Sequence, residues 1–391
     1  MTSARACQPS IRVLRRGDVD ADVRARWDDL AEASSGTSHS NVFFGPDLLL
    51  AAWHRLSDGH AVELLVVERK PEPAQVGDGA PWAIAVPIAA ADRPWRHPVR
   101  ARSTWQHNQA FLGSPLARED ATEAEWEALL RGVRDSGADS WIATALDGAS
   151  ARRLEAAASS LDLPTCRFHD HRRAVTRRRE RDDYAQLTVS GKNRKELRRL
   201  RRRLATEAGA ADTVDLARDA SPADVRAAAR LFLDLESSGW KGEDGGAMAV
   251  RSEEALFFED ACEALAARGD LQLLSLRTGS GEPAAMAVNI RAGRTLSTWK
   301  IAYDERFATY SPGVQLTLDG FAAFHESGAD LLDSCAVPGH VMAERLHADR
   351  RRVATVAVGL GSRRGALLVR TMRPWLRLHD RVRPPEVPLP I

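Results

Sequence analysis

Three features of the sequence predict a mixed α/β (α+β) protein of two domains, each with a mixed, mostly antiparallel sheet flanked by helices. A chain of 391 residues exceeds what one hydrophobic core ordinarily organises, and 44% hydrophobic residues suffice for two cores. The second half changes from a helical to a strand period and back again. Between the halves, FHDHRRAVTRRRERDDY (168–184) loses its apolar period and gains charge, which sets the boundary near 165–185 and the domains at 1–170 and 171–391.

In chain order, DVRARWDDLAEAS (22–34) and the stretch from Pro46 to Leu56 carry helical patterns. The apolar runs AVELLVVER (61–69) and PWAIAVPIAAA (81–91) read as neighbouring strands, joined through the Pro- and Gly-rich KPEPAQVGDGA (70–80). STWQHNQAFLGSPL (103–116) is polar, aromatic and broken by Gly and Pro, and EAEWEALLRGVRDSG (123–137) is helical again. Ser190 is placed to cap a helix that ends at Gly209, with Leu197, Leu200 and Leu204 as its apolar stripe. A second helix starts at Ser221-Pro222, turning Val225, Phe232 and Leu235 inward, and a third spans about 253–268. DLQLLSLRTGSGEPAAMAVNIRAGRTLSTWKIAYD (270–304) is a three-strand meander; Ser311-Pro312-Gly313 opens a further helix, and ADLLDSCA (329–336) is a strand.

Composition excludes several functions. The net charge of +1 provides no global field for nucleic acid or anionic lipid. The four cysteines stand apart without a C-x-x-C pair, so no structural metal is expected, and His169-Asp170-His171 reads as a solvated linker. The chain lacks a long uncharged apolar run and the N-terminus has no signal-peptide core, so no membrane span and a cytoplasmic location are expected. SGKNRK (190–195) lacks P-loop spacing, and neither Gly359-Leu360-Gly361 nor Gly279-Ser280-Gly281 makes a dinucleotide fingerprint. One local feature stands out: eight Lys or Arg fall among the twelve residues from Lys192 to Arg203.

Four segments in order, SGKNRKELRRLRRRL, LESSGWKG, LQLLSLRTGSGEPAAMAVNI and KIAYDERFATYSPG, resemble the GNAT acyltransferase superfamily, in its CelD-like acetyltransferase branch related to the Fem peptidyltransferases. The resemblance covers about 184–352. It implies two tandem GNAT-like domains, the N-terminal one a diverged copy, and an N-acyltransferase using acyl-CoA (acetyl-CoA) and no metal. The acceptor would be a small-molecule or peptide amine, bound in an interdomain cleft. After the last strand, where the branch usually carries an acidic Tyr-Lys segment, this chain has SCAVPGHVMAERLHADRR (334–351), which leaves the acceptor open. Fem relatives take an aminoacyl group from tRNA, the second reading; a non-catalytic nucleic-acid-binding protein built on the basic helix is the third.

Acyl transfer to an amine needs an anchored diphosphate, a base and a proton donor for the leaving thiolate. The helix start at Tyr310, Ser311, Pro312, Gly313 and Val314 offers main-chain N–H groups to the diphosphate. Its bland alternative is an ordinary Ser-capped, Pro-started helix. Tyr303 and Tyr310 are candidate proton donors, or else half-buried aromatics. Lys300 and Trp299 alternate along a strand, so one of them faces the cleft, and Lys300 either points to the ligand channel, as the resemblance implies, or pairs with a carboxylate. Glu236, Asp304 and His340 are candidate bases, against solvated-acid or surface-histidine readings, and no sequence argument ranks them. Trp240 and Lys241 are placed to stack on or clamp the cofactor, or simply to anchor a loop.

Overall fold

A computed structural model describes residues 9–35, 40–57, 59–69, 80–91, 99–209, 211–239 and 246–382, with Ser35 and 373–382 described by backbone alone. Trp240 and Lys241, and most of the 70–80 connection, lie outside the described residues. The first half runs β1 (Ser10–Leu14), α1 (Ala21–Ser35), α2 (Pro46–Arg55), β2 (Glu63–Glu68), β3 (Trp82–Ala90), β4 (Ala101–Thr104), β5 (Leu116–Ala117), α3 (Glu123–Asp135), β6 (Ser140–Asp147), α4 (Gly148–Ser160) and β7 (Thr165–Arg177). Two helices follow, α5 (Tyr184–Thr188) and α6 (Gly191–Ala208). The second half runs β8 (Asp212–Asp215), α7 (Pro222–Ser238), α8 (Ser252–Ala267), β9 (Leu271–Arg277), β10 (Pro283–Ala292), β11 (Thr295–Tyr303), α9 (Pro312–Ser327), β12 (Leu331–Asp333), α10 (Val341–Leu346) and β13 (Asp349–Gly359), and α11 (Arg363–Val382) ends the chain.

Apart from the short β5, the two halves repeat one order: strand, two helices, three strands, helix, strand, helix, strand. Pairing repeats as well. β1-β2-β3-β4 are antiparallel neighbours, and β4 then pairs parallel with β6 over Ala101–Ser103. In the second half β8-β9-β10-β11 are antiparallel, and β11 pairs parallel with β12 over Thr295–Ser297. The final strand of each half crosses to the other: β7 pairs with β12, β13 pairs with β6, and β7 and β13 pair with each other. This exchange fuses two sheets into one mixed, mostly antiparallel sheet, ordered β1-β2-β3-β4-β6-β13-β7-β12-β11-β10-β9-β8. Tandem architecture is thus present, but the halves share strands and do not merely face each other.

His169-Asp170-His171 is part of β7, not a linker. Asp170 binds the Arg352 guanidinium at 2.7 and 2.6 Å. The expected division at 170/171 passes through this strand.

The caps form where the sequence places them. Ser190 Oγ accepts from Asn193 N at 3.3 Å and Ser221 Oγ from Asp224 N at 3.3 Å. Gly209 closes α6 at φ +89°, where a Cβ would be strained. Leu204 is fully buried beneath α6, and Val225, Phe232 and Leu235 pack α7 into the core with Phe257 and Phe258 of α8. Cys166, Cys262 and Cys335 are buried free thiols.

At the joint between the halves, buried Asp333 ends β12. It receives Arg351 Nη1 of β13 at 2.8 Å and lies 3.7 Å from Arg173 Nη1 of β7. Burial alone would raise this carboxyl's pKa, and the two guanidinium groups outweigh that and hold it below the usual range.

Candidate active site

The β11–β12 ladder stops at Ser297–Asp333, and α9 begins beside the far end of β11. Ligands of open α/β sheets collect at such carboxyl ends. On the other edge of β11, Asn289 pairs with Thr298 and Val288 with Lys300, so Trp299 is the extra residue of a β-bulge. The bulge cancels the expected alternation. Trp299 packs on Phe257 and Phe258 of α8, with ring centroids 5.8 and 5.2 Å away, while Lys300 Nζ lies 3.9 Å from Glu236 Oε1 of α7. Both side chains therefore face the α7–α8 layer, where simple alternation would have put one on each side. No sequence signal short of the strand register reveals this.

Glu236 is buried in the last turn of α7 and accepts from Met248 N at 3.0 Å. Lys300 Nζ also lies 6.0 Å from the centroid of Phe111, a residue of the first repeat. Phe111 in turn gives its carbonyl to Arg173 Nη2 at 2.6 Å. Carboxylate, ammonium and aromatic ring thus converge from both repeats, and the contribution of Phe111 was not anticipated from sequence.

The other two candidate bases are occupied as caps. Asp304 accepts from Arg306 N at 2.9 Å, opening the 3-10 helix Glu305–Tyr310, and from the Arg306 guanidinium at 2.9 and 2.7 Å. Burial pushes its pKa up, but the Arg306 side chain and amide prevail and lower it. His340 is exposed, and its Nδ1 accepts from Ala343 N at 3.3 Å as the N-cap of α10. Of the three, only Glu236 meets Lys300.

Helix α9 starts differently from the Ser-capped pattern. The 3-10 helix runs straight into it, and Ser311 forms the kink at φ +52°, making no side-chain cap bond. Pro312 brings no N–H. The main-chain N–H groups of Gly313 and Val314 have no protein acceptor, whereas that of Gln315 already donates to Ser311 O at 3.1 Å. Two unpaired donors, rather than the three of 313–315, are left for an anion at this helix start. A Cβ on Gly313 would sit 3.7 Å from Tyr303 Cδ1 and 4.0 Å from Ile301 Cδ1, so it would point at β11 in ordinary contact. Bulk at 313 therefore presses on the Tyr303 ring before it reaches any ligand.

Tyr303 is half-buried on the α9 face of β11, opposite Lys300. Tyr310 is buried and donates its hydroxyl to Glu207 of α6, with Arg203 stacked 5.6 Å over its ring; the carboxylate, then burial, raises its pKa.

In the first repeat the equivalent helix start is closed. Thr122 Oγ1 accepts from Glu125 N at 3.3 Å and Glu125 Oε2 from Thr122 N at 2.7 Å, a capping box that fills the start of α3 with its own carboxylate. Arg69 then binds Glu125 at 2.7 and 3.0 Å. Of these two equivalent starts, that of α9 alone has no side-chain cap.

With this geometry in view, residues 191–345 match the acetyltransferase (GNAT) domain family. The fold as a whole is similar to that of FemX, at 12% identity over 87% of this chain and 96% of that one, TM-score 0.53. It is equally similar to a conserved Bacteroides thetaiotaomicron protein of unknown function, at 11% identity over 86% and 97%, TM-score 0.53. A tandem GNAT protein from the clavulanic acid biosynthesis pathway aligns over 91% of this chain and 99% of its own, at 12% identity and TM-score 0.45. No curated protein matches in sequence. Residues 191–345 of the second repeat thus match a GNAT domain, and the fold of the chain as a whole is similar to that of FemX.

Proposed function

We propose that the chain is an N-acyltransferase that takes an acyl group, with acetyl as the first choice, from acyl-CoA and gives it to an amine. The observation that carries this reading is the pair of unsatisfied N–H groups of Gly313 and Val314 at the mouth of the V where β11 and β12 part. Those donors suit the diphosphate of CoA. Glu236 takes the proton from the attacking amine, and the Lys300 ammonium stabilises the negative charge that develops on the acyl oxygen. With the thioester threaded between β11 and β12, Tyr303 returns a proton to the departing thiolate from the α9 face of β11, opposite Lys300. Accordingly, Tyr303→Phe lowers turnover by roughly a hundredfold and leaves acyl-CoA affinity nearly unchanged, read by thiol release and calorimetry. Undiminished turnover removes the tyrosine from the reaction.

Binding assays with acetyl-CoA, longer acyl-CoAs and bulk aminoacyl-tRNA test the donor. Failure of every acyl-CoA to bind sinks the reading. The domain junction is placed with it at the end of β7, where the first repeat closes. A cytoplasmic location belongs to the same reading, supported by three buried reduced thiols. Among the described residues no helix is long and apolar enough to cross a membrane.

One observation favours the aminoacyl-tRNA reading. Of the α6 cations, Arg201 is tied to Ala211 O at 2.5 Å and Asp319 at 2.8 Å, Arg199 to Glu196 at 2.6 Å, and Arg194 to Val189 O at 2.6 Å. The side chains of Lys192, Lys195, Arg198 and Arg202 have no partner among the described residues and are exposed along one face of the helix. Replacing these four by Gln leaves acyl-CoA turnover unchanged if the face is merely solvated. If it holds RNA, the same change abolishes a steeply salt-dependent aminoacyl-tRNA affinity.

A further inference from the structure

The stretch Gln109–Ser114 of the first repeat forms neither helix nor strand, yet every residue of it is tied down by a main-chain hydrogen bond. Gln109 O accepts the Trp299 indole N–H at 2.8 Å, Ala110 O the Gln106 amide at 2.7 Å and Phe111 O the Arg173 guanidinium at 2.6 Å. Buried Asn41 gives its side-chain amide to Leu112 O at 3.1 Å and to Ser114 O at 2.7 Å. Gly113 N donates to Ala145 O at 3.0 Å, and a Cβ on Gly113 would lie 2.2 Å from Thr144 O, so glycine lets the stretch lie against β6. Irregular backbone is fixed here as firmly as a strand.

The residue that this fixing presents is Phe111, which is half-buried. Its ring meets buried Phe43 edge-on at 5.8 Å, and the Lys300 ammonium of the second repeat stands over it at 6.0 Å from the centroid, within reach of a cation–π contact. The second attraction on that ammonium comes from Glu236, whose Oε1 at 3.9 Å is close enough for an ion pair and too far for a direct hydrogen bond. An ion pair of that length does not by itself fix the direction of a long, flexible lysine stem. A ring face on another element, pulling from the other repeat, supplies a second point. The tie also runs back to the joint between the halves, because the guanidinium that holds Phe111 O has its Nη1 3.7 Å from Asp333.

We propose that Phe111 is a positioning residue: its ring face holds the Lys300 ammonium short of a direct bond to Glu236, so that ammonium and carboxylate keep separate tasks. Its part in the reaction rests on the acyltransfer reading above. The first repeat thereby contributes to the chemistry of the second as well as to its sheet.

The test uses the full chain. A trifluorinated phenylalanine at position 111 keeps the outline of the ring and removes most of the negative charge of its face, whereas Phe111→Leu removes the ring and Phe111→Tyr keeps an electron-rich one. With acetyl-CoA and a panel of primary amines, turnover read by thiol release falls about tenfold with the fluorinated ring and with Phe111→Leu, and stays near wild type in Phe111→Tyr. Acetyl-CoA affinity by calorimetry is unchanged in all three, and far-ultraviolet dichroism reports whether each is folded. The chain has five lysines, so isotope labelling of lysine alone gives a magnetic resonance spectrum in which the ε-methylene signal of Lys300 is identified by its loss in Lys300→Arg. Phe111→Leu moves that signal downfield as the ring current disappears. Wild-type turnover with the fluorinated ring overturns the assignment, even where Phe111→Leu is slow, since the ring is then packing alone. A Lys300 signal that stays in place in folded Phe111→Leu overturns it as well. If acetyl-CoA fails to bind wild type, the donor reading sinks by itself, and the Lys300 signal still decides whether the ring holds the ammonium.

Discussion

Asp333→Asn lowers the stability of the chain by about 3–5 kcal/mol, the cost of leaving a buried charge without its counter-ion. The carboxylate is 2% exposed, and the guanidiniums facing it, Arg173 and Arg351, are 6% and 8% exposed. Asparagine keeps the shape and the bond from Cys335 N, which Asp333 Oδ1 accepts at 2.9 Å, so packing changes little. What changes is that two buried cations lose the carboxylate they share, with Asp147 left as a weaker partner of Arg351. The damage falls at the joint, since these residues belong to β12, β7 and β13, the strands that fuse the two sheets. A sharp fall in the thermal midpoint at neutral pH checks it; a midpoint equal to wild type refutes it. The pH dependence has a definite sign. Asp333 is depressed in the folded state, so its contribution is present above the ordinary carboxylate range and is lost as pH falls through its lowered folded pKa. The gap between wild type and Asp333→Asn therefore narrows in acid.

The sequence made legible whatever local chemistry dictates. Ser190, Gly209, Ser221 and Pro222 mark helix ends because caps are short-range. The meander of β9, β10 and β11 was visible from its alternation and its two glycine turns. β7 was hidden because its charged residues, such as Asp170, pair with a strand about 180 residues away, and a sliding window sees only the charge. β13 gave no hint that it would return to the first repeat, since strand exchange is a property of partners and not of the strand. The bulge at Trp299 is a matter of register, so the shared face of Trp299 and Lys300 could not be read. Asp304 and His340 looked available as bases because their competing bonds to main-chain N–H groups two and three residues on are invisible without φ and ψ. Glu236 was legible as a candidate; its meeting with Lys300 and Phe111 was not.

Glu236→Gln is the substitution that separates chemistry from structure. The amide is nearly isosteric, and its oxygen still accepts from Met248 N, so the end of α7 and the 3-10 helix Met248–Val250 keep their contact. The variant loses a negative charge 3.9 Å from Lys300 Nζ and the capacity to take a proton from an amine. With acyl-CoA as donor, turnover falls by about a hundredfold or more, the usual worth of a positioned general base. Acyl-CoA affinity stays near wild type, because Gly313 and Val314, proposed to hold the diphosphate, belong to α9 on the other side of β11. A base acting on a protonated amine also makes turnover rise with pH, and the variant recovers part of its loss at high pH, where the amine reaches the site already neutral. Calorimetry gives the affinity and thiol release across pH gives the turnover. Wild-type turnover in the folded variant transfers the proton to water or to another group. Equal losses in affinity and turnover mark Glu236 as a structural partner of Lys300, with no part in the proton transfer.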